Sequence, residues 1–333
     1  MKAVTMSDVA KKANVSKSTV SQYINKRYEF MGADTKDRIR EAIEELNYKP
    51  NVVARSLKQK KTSTVGVIVA NILHSFSTQV IRAIEDICNK SDLSVIVCNA
   101  DDDPKKERNY IEMLRAKQVD GLIIFPTAGN AELYKEMVNE NYPLVFVDRI
   151  IQDSGVSTIL LDNEKASEML VEHLYKKNYT RLAFITSSLE IQITPRIERL
   201  NGFIKGLEKY SLPLIDGFYA GVRMGDVQEV LEVMFSQPER PDALICGNDL
   251  TLLETLKFIN KKGWSIPTDI ALASIDEVPY SEIFQPPLTI VAQPAFAIGT
   301  NAANLLLEKI DGVGESLKEI MLYSPELIVR KST

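Results

Sequence analysis

The sequence predicts an α/β protein: a small, basic, all-helical head, then an acidic body of two similar lobes, each a parallel sheet with helices on both faces. Three observations predict it. Charge is lopsided, with 14 Lys+Arg against 7 Asp+Glu in residues 1–61 and 26 against 38 in the other 272. The head carries apolar residues at helical spacing, which a solvated basic tail would lack. Beyond it, β-branched runs alternate with helical stretches, the pattern of a doubly covered parallel sheet, and the spacing occurs twice.

Composition excludes several classes. At 45% apolar and 26% charged over 333 residues, the chain is globular and long enough for about two domains. No apolar run reaches the roughly 18 residues of a membrane helix, so no membrane partner is expected. The stretch Met1–Asp8 lacks the apolar core of a secretory signal. Cys88, Cys98 and Cys246 form no C-x-x-C pair, and an odd, scattered set argues against a disulfide framework. A reducing cytoplasm is the expected location. His74 and His173 are the only histidines, too few with those cysteines for an ordinary zinc set; neither metal nor cofactor is expected.

In the head, Met6, Val9, Ala10 and Ala13 fall on one helical face, with Thr5 as N-cap. Asn14 tolerates a left-handed turn. Ser16 can cap a second helix running from Lys17 to Asn25, and a third starts near Asp34 with Ile39, Ala42, Ile43 and Leu46 on one face. Small Ala10, turn residue Asn14 and apolar Val20 are what two tightly crossed helices require. A generic three-helix bundle is the competing reading; the positive balance favours a helix-turn-helix that binds DNA. The second helix then enters the major groove with Lys17, Ser18 and Gln22 exposed to base edges, where Lys donates to guanine and Gln pairs with adenine. Thr5, Ser7, Ser16, Thr19, Ser21 and Asn25 are placed for capping and phosphate contacts, which set register.

Here a resemblance becomes specific. Val4–Ala10, Asn14-Val15-Ser16, Thr19-Val20-Ser21 and Asn25, with Leu46–Asn51 and Ala54-Arg55-Ser56-Leu57, resemble the head of the lactose/galactose repressor family, and the resemblance runs through the whole chain. It implies a hinge helix after Pro50, involving Asn51, whose two copies in a dimer insert Leu57 into the minor groove. Apolar wedges kink DNA in this way, and Ala54 is small enough for close approach. Ordinary linker packing is the alternative for Leu57. The loop Lys26–Ala33 is slightly long for the family, and Gly32 stands where relatives often carry a capping Ser.

The body is read as a duplication. Strands are expected at Val65–Val69, Ser94–Cys98, Asp120–Phe125 and Pro143–Asp148, and again at Leu182–Ile185, Asp242–Cys246 and Ile270–Asp276. Val65 to Asp120 is 55 residues and Leu182 to Asp242 is 60. Open α/β sheets bind ligands at the carboxyl ends of their strands. Two facing lobes therefore form a cleft with Asp148 and Asp276 on opposite walls, a periplasmic-binding-protein-like body. Ser157–Asp162 and Thr289–Gln293 are expected as crossovers. The expected division is a helix-turn-helix domain at 1–49, hinge and linker at 50–61, and a core at 62–333. Lobe one takes about 62–160 with 290–320, and lobe two about 162–288 with 322–333.

Thr194-Pro195 reads as N-cap and first helical residue, with Arg196 and Arg199 in the first turns: an anion site. Arg149 follows Asp148 at a strand end. Pairing of these arginines with local acids such as Glu190, Glu198 and Asp153 is the alternative. The segment Arg199-Leu200-Asn201-Gly202-Phe203 resembles the family's motif with an effector-contacting arginine. On the same resemblance, Asn248, Asp276, Gln293, Phe76 and Ser77 contact the effector. Several relatives place a ring-stacking aromatic near Val222, which argues here for an open-chain or acidic ligand. His74 could touch an acid group or be an exposed loop residue; His173 is read as structural.

No G-x-S-x-G, Walker loop, G-x-G-x-x-G or H-E-x-x-H occurs, so an enzyme is not expected. Arg27–Met31, Ala70-Asn71-Ile72 with Phe76-Ser77, Cys98–Pro104 and Lys117–Gly121 resemble repressors of 2-keto-3-deoxygluconate catabolism within the family. The expected function is a homodimeric operator-binding repressor released by a sugar acid. A neutral sugar, a sugar phosphate or a phosphocarrier protein are the alternatives. No leucine heptad follows the last strand, so a tail-driven tetramer is not expected.

Overall fold

The computed structural model describes residues 4–49, 62–313 and 319–333. It divides into two compact units that part between Thr62 and Ser63.

Among the described residues, the first unit has three helices: α1 (Met6–Lys12), α2 (Lys17–Ile24) and α3 (Ala33–Glu45). Each is too short to persist alone, and they are held by a common core of Val9, Ala10, Ala13, Val20, Ile39 and Ala42. Thr5 caps α1, its N–H and hydroxyl donating to Asp8 Oδ2 at 2.8 and 2.7 Å. Asn14 takes a left-handed φ of +52° at the turn. Ser16 opens α2, its Oγ accepting from the Thr19 N–H at 3.1 Å. Gly32 precedes α3 and offers no side-chain cap.

The second unit is two six-stranded lobes. In the first, β1 (Thr64–Val69), α4 (Ser75–Lys90), β2 (Ser94–Asn99), α5 (Pro104–Ala116), β3 (Gly121–Ile124), α6 (Ala131–Asn139), β4 (Leu144–Val147) and β5 (Ser157–Leu161) alternate. The chain crosses at Asp162 into α7 (Asn163–Lys176), β6 (Leu182–Ser187), α8 (Thr194–Lys209), β7 (Tyr219–Val222), α9 (Val227–Phe235), β8 (Ala243–Cys246), α10 (Asp249–Lys262), β9 (Ala271–Ile275) and β10 (Thr289–Ala292). It returns at Gln293-Pro294 to α11 (Ala295–Asp311) and β11 (Ile320–Tyr323), and crosses once more to β12 (Glu326–Ile328). The sheet orders are β11-β5-β4-β3-β1-β2 and β12-β10-β9-β8-β6-β7, the same order twice. All ladders are parallel except β10 with β12. Central strands such as β3, β4, β8 and β9 are buried throughout, which is why they read as unbroken apolar runs.

The duplication reaches single hydrogen bonds. The Asp120 carboxylate accepts from the Thr64 N–H at the start of β1, and the Asp242 carboxylate accepts from the Arg181 N–H just before β6. A helix that enters each lobe from the other packs tightly on that lobe's first helix. A side chain at Gly299 on α11 would lie 2.6 Å from the Val80 carbonyl of α4, and one at Gly202 on α8 would collide with the Glu164 carbonyl of α7.

Two expectations are corrected. Ser157–Leu161 and Thr289–Ala292 are not crossovers but the fifth strands of the two sheets, each pairing with the strand before it. Only Asp162 and Gln293-Pro294 pass between lobes there. Residues 290–292 therefore lie in lobe two, and β11 keeps residues up to Tyr323 in lobe one. Each sheet gains its sixth strand, β11 or β12, only after the chain has left that lobe and come back.

Candidate functional site

The carboxyl ends of both sheets and the N-termini of α4, α8 and α10 converge on one cavity of about 50 Å³. Phe76, Ser77, Asp148, Arg149, Arg196, Arg199, Asn248, Asp276 and Gln293 all line it. Every cleft residue read from the sequence is thus at one place. Three helix N-termini supply partial positive charge there.

The three arginines reach carboxylates distant in sequence. Arg149 Nη1 donates to Asp102 Oδ1 at 2.7 Å, and Arg196 Nη2 donates to Asp102 Oδ2 at 2.8 Å. One carboxylate is thereby held by one arginine from each lobe. Arg149 Nε also stands 3.5 Å from Asp148 Oδ2, and Arg196 Nη1 donates to the Ser188 carbonyl. Arg199 lies in lobe two, bonding the Asn163 side chain at 2.9 Å and the Gly247 carbonyl at 2.7 Å, with Asp276 Oδ2 at 3.7 Å. Of the local acids weighed as partners, Glu190 sits with Arg223 and Glu198 with Asn163. Burial pushes the Asp102 carboxyl up, but the two guanidinium charges outweigh it and hold it below the usual carboxylate range. Burial depresses Arg196 despite the charge of Asp102. Asp276 is pushed up by burial, with Arg199 opposing and Asp249 reinforcing the shift.

Several side chains are committed to their own lobe. Asn248 opens α10, its Oδ1 accepting from the Thr251 N–H at 3.0 Å while its Nδ2 donates to Ser187 Oγ at 2.9 Å. Gln293 Nε2 donates to Asp276 Oδ1, and its buried Oε1 has no hydrogen-bond partner among the described residues. Ile193, not Thr194, precedes the first turn of α8, so Pro195 is its second residue. Val222 packs against the core of lobe two and does not line the cavity, so the lack of an aromatic ring there does not bear on the shape of the ligand.

His74 touches an acid, but one of the protein's own: its Nδ1 is 2.6 Å from Asp249 Oδ1, across the cleft. The other Asp249 oxygen accepts from the Ser75 N–H at 2.6 Å, capping α4 from the opposite lobe. His173 is indeed internal, 2.7 Å from Thr333 Oγ1. Sequence reasoning missed Asp102, Asn163 and Asp249. Asp102 had a signal in Asp101-Asp102-Asp103-Pro104: Asp103 caps α5 and Asp101 binds Lys106, which leaves the middle acid for another task.

In the head, Thr5, Ser7, Ser16, Lys17, Ser18 and Gln22 are exposed, and Thr19, Ser21 and Asn25 half-buried. Asn25 turns inward, its Nδ2 donating to the Ser21 carbonyl at 2.7 Å. Asn51, Ala54 and Leu57 lie outside the described residues.

A capped helix-turn-helix joined to a duplicated two-lobed α/β body with a polar cleft defines a ligand-responsive DNA-binding regulator. Comparison with known proteins gives the family. Residues 5–51 match the family "Bacterial regulatory proteins, lacI family", and residues 62–324 match "Periplasmic binding proteins and sugar binding domain of LacI family". The chain belongs to the LacI family of transcriptional regulators, which are not enzymes. It is 45% identical over 98% of both chains to the "Probable HTH-type transcriptional regulator EndR" of Paenibacillus polymyxa. To the "HTH-type transcriptional regulator KdgR" of Bacillus subtilis it is 32% identical, over 98% of this chain and 97% of that one. Among solved structures, a lac repressor bound to ONPG in its repressed state superposes with a TM-score of 0.86 at 26% identity, covering all of both chains. A lac repressor dimer bound to operator and an anti-inducer gives 0.84 at 25%, covering 99% of each.

Proposed function

We propose that this regulator is a cytoplasmic, homodimeric repressor of a carbohydrate-catabolism operon, released by a sugar acid, with 2-keto-3-deoxygluconate as leading candidate. The carrying observation is that Arg149 and Arg196, on facing lobes, already hold a carboxylate, that of Asp102, one oxygen each. Charge-assisted pairs of this kind recognise carboxylates with defined geometry. An effector carboxylate takes the same two guanidiniums, while Asp148, Asp276, Arg199, Asn248 and Gln293 orient hydroxyls, and Phe76 and Ser77 close the apolar side. The sequence segments cited above agree with this choice of acid. A catabolic repressor should let go when its pathway's intermediate accumulates, so the ligand acts as inducer.

On the DNA side, Lys17, Ser18 and Gln22 read bases while Thr5, Ser7, Thr19 and Ser21 contact phosphates. Asn51, Ala54 and Leu57 form the hinge in the minor groove. Two-fold pairing doubles the site that one short helix can read.

Charge balance favours a second reading. Three arginines face three carboxylates, Asp102, Asp148 and Asp276, so the cleft holds no excess of unpaired arginine. A neutral sugar would leave that balance undisturbed. Calorimetric titration with 2-keto-3-deoxygluconate, a neutral hexose and a sugar phosphate, paired with operator binding in the presence of each, separates the readings. Preference for the hexose rejects the sugar acid, and a response only to a phosphocarrier protein points to global carbon control.

A further inference from the structure

We propose that Asp102 is an internal competitor for the effector's carboxylate, and so the residue that sets which charge the cleft accepts. The inference rests on the reading that Arg149 and Arg196 bind an effector carboxylate. The loop between β2 and α5 holds Asp102 at a left-handed φ of +57°, next to Asp101 at +53°. Its neighbours are otherwise engaged: Asp101 with Asn99 and Lys106, and Asp103 with the Lys105 N–H that begins α5. Asp102 alone of the three points to the other lobe, where it meets Arg196.

With Asp102 in place, the guanidiniums of Arg149, Arg196 and Arg199 are balanced by three carboxylates. A fourth carboxylate entering beside them would be desolvated against no net positive charge, a costly arrangement. Release of Asp102 restores the balance, because the incoming carboxylate replaces it on the same two arginines. Asp102 is the one able to leave: its side chain is 21% exposed, against 16% for Asp148 and 5% for Asp276. Its release also removes an ion pair between the lobes, since Asp102 belongs to lobe one and Arg196 to lobe two. Acid binding and lobe arrangement are coupled through this one side chain, and a neutral sugar leaves the pair intact.

The test is calorimetric titration of full-length wild type, Asp102→Ala and Asp102→Asn with 2-keto-3-deoxygluconate, galacturonate and galactose. Thermal denaturation and operator binding without ligand serve as folding controls. Both variants should bind the two acids at least about tenfold more tightly relative to galactose than wild type does, with a steeper loss of affinity in salt. A wild type that ignores both acids beside variants that bind them also supports the competitor, while removing these acids as natural effectors. If either folded variant binds acids more weakly, or keeps the wild-type preference between acid and neutral sugar, Asp102 is a fixed support for the arginines and the proposal is wrong. Acid binding by wild type in that case leaves the sugar-acid reading standing.

Discussion

Asp148 and Asp276 are the same residue of the duplicated fold. Each follows the fourth strand of its lobe, each has a left-handed φ (+71° and +80°), and the N–H of each donates to the fifth strand, to Ile159 and Val291 respectively. The left-handed turn carries both carboxylates toward the cleft from opposite walls. Asp and Asn tolerate that conformation and β-branched residues do not. Asp276→Asn should therefore fold normally but lose about tenfold or more in effector affinity, because the carboxylate that accepts from an effector hydroxyl becomes an amide. Asp276→Val should in addition lose about 1–3 kcal/mol of stability from backbone strain. Calorimetry beside urea denaturation reads both effects; equal stability of the two variants would remove the strain argument.

Gly202 is needed for packing. Its helix α8 passes so close to α7 that any side chain meets the Glu164 backbone. Gly202→Ala should destabilise the body by about 1–3 kcal/mol, since backbone cannot yield as a flexible side chain can. Gly225→Ala, in the same unit with open space around it and no left-handed φ, serves as control. Denaturant midpoints compare the two.

The cysteines should be chemically silent. Burial raises the Cys246 thiol to about 12, against a weaker opposing hydrogen bond to Thr255, and raises Cys88 to about 11 with help from Glu85. Burial also raises Cys98. Thiolate is the reactive form, so at pH 8 a thiol reagent should label the native protein slowly and the denatured protein at all three positions. Rapid native labelling of Cys246 would contradict its burial.

Much of this was legible in sequence, for reasons that differ by element. Strands β1, β3, β4, β6, β8 and β9 are buried on both faces and so show as unbroken apolar runs. The head's helices show through spacing and caps such as Ser16. The boundaries at Ser157–Leu161 and Thr289–Ala292 were misread because a last strand and a crossover have similar composition. Asp102 and Asp249 were missed because their partners, Arg196 and His74, lie 94 and 175 residues away, and only folding brings those charges together.

Acid should unlatch the lobes through Asp249. Burial pushes this carboxyl up, but the bond and charge of His74 and the N–H groups of Ser75 and Leu250 outweigh it, and the folded value falls below the ordinary 3.8. A depressed carboxyl gives stability that is present above its unfolded value and lost as pH falls through the folded one. Asp102, also depressed, acts in the same sense. Melting temperatures from about pH 7 to about pH 3 should fall less steeply for Asp249→Asn than for wild type. Parallel curves would show that the His74–Asp249 contact adds nothing to stability.

Ser16 and Gln22 should separate folding of the head from reading of DNA. The Ser16 hydroxyl satisfies the Thr19 N–H at the start of α2 and also meets Ser18 and Thr19 side chains. Loss of an N-cap costs about 1 kcal/mol, a large share for a unit with so small a core. Ser16→Ala should lower the head's melting temperature and weaken all DNA sequences alike, since a loosened α2 loses phosphate and base contacts together. Gln22 lies exposed on the same helix with no part in the head's core. Its removal should leave stability within about 0.5 kcal/mol and relax base preference at one position in each half-site, where an amide pairs with adenine. Selection from random duplexes with each variant, read beside circular dichroism, distinguishes the two. Unchanged operator selection by Gln22→Ala would reject α2 as the reading helix, and a uniform loss from Gln22→Ala would make that side chain a phosphate contact instead.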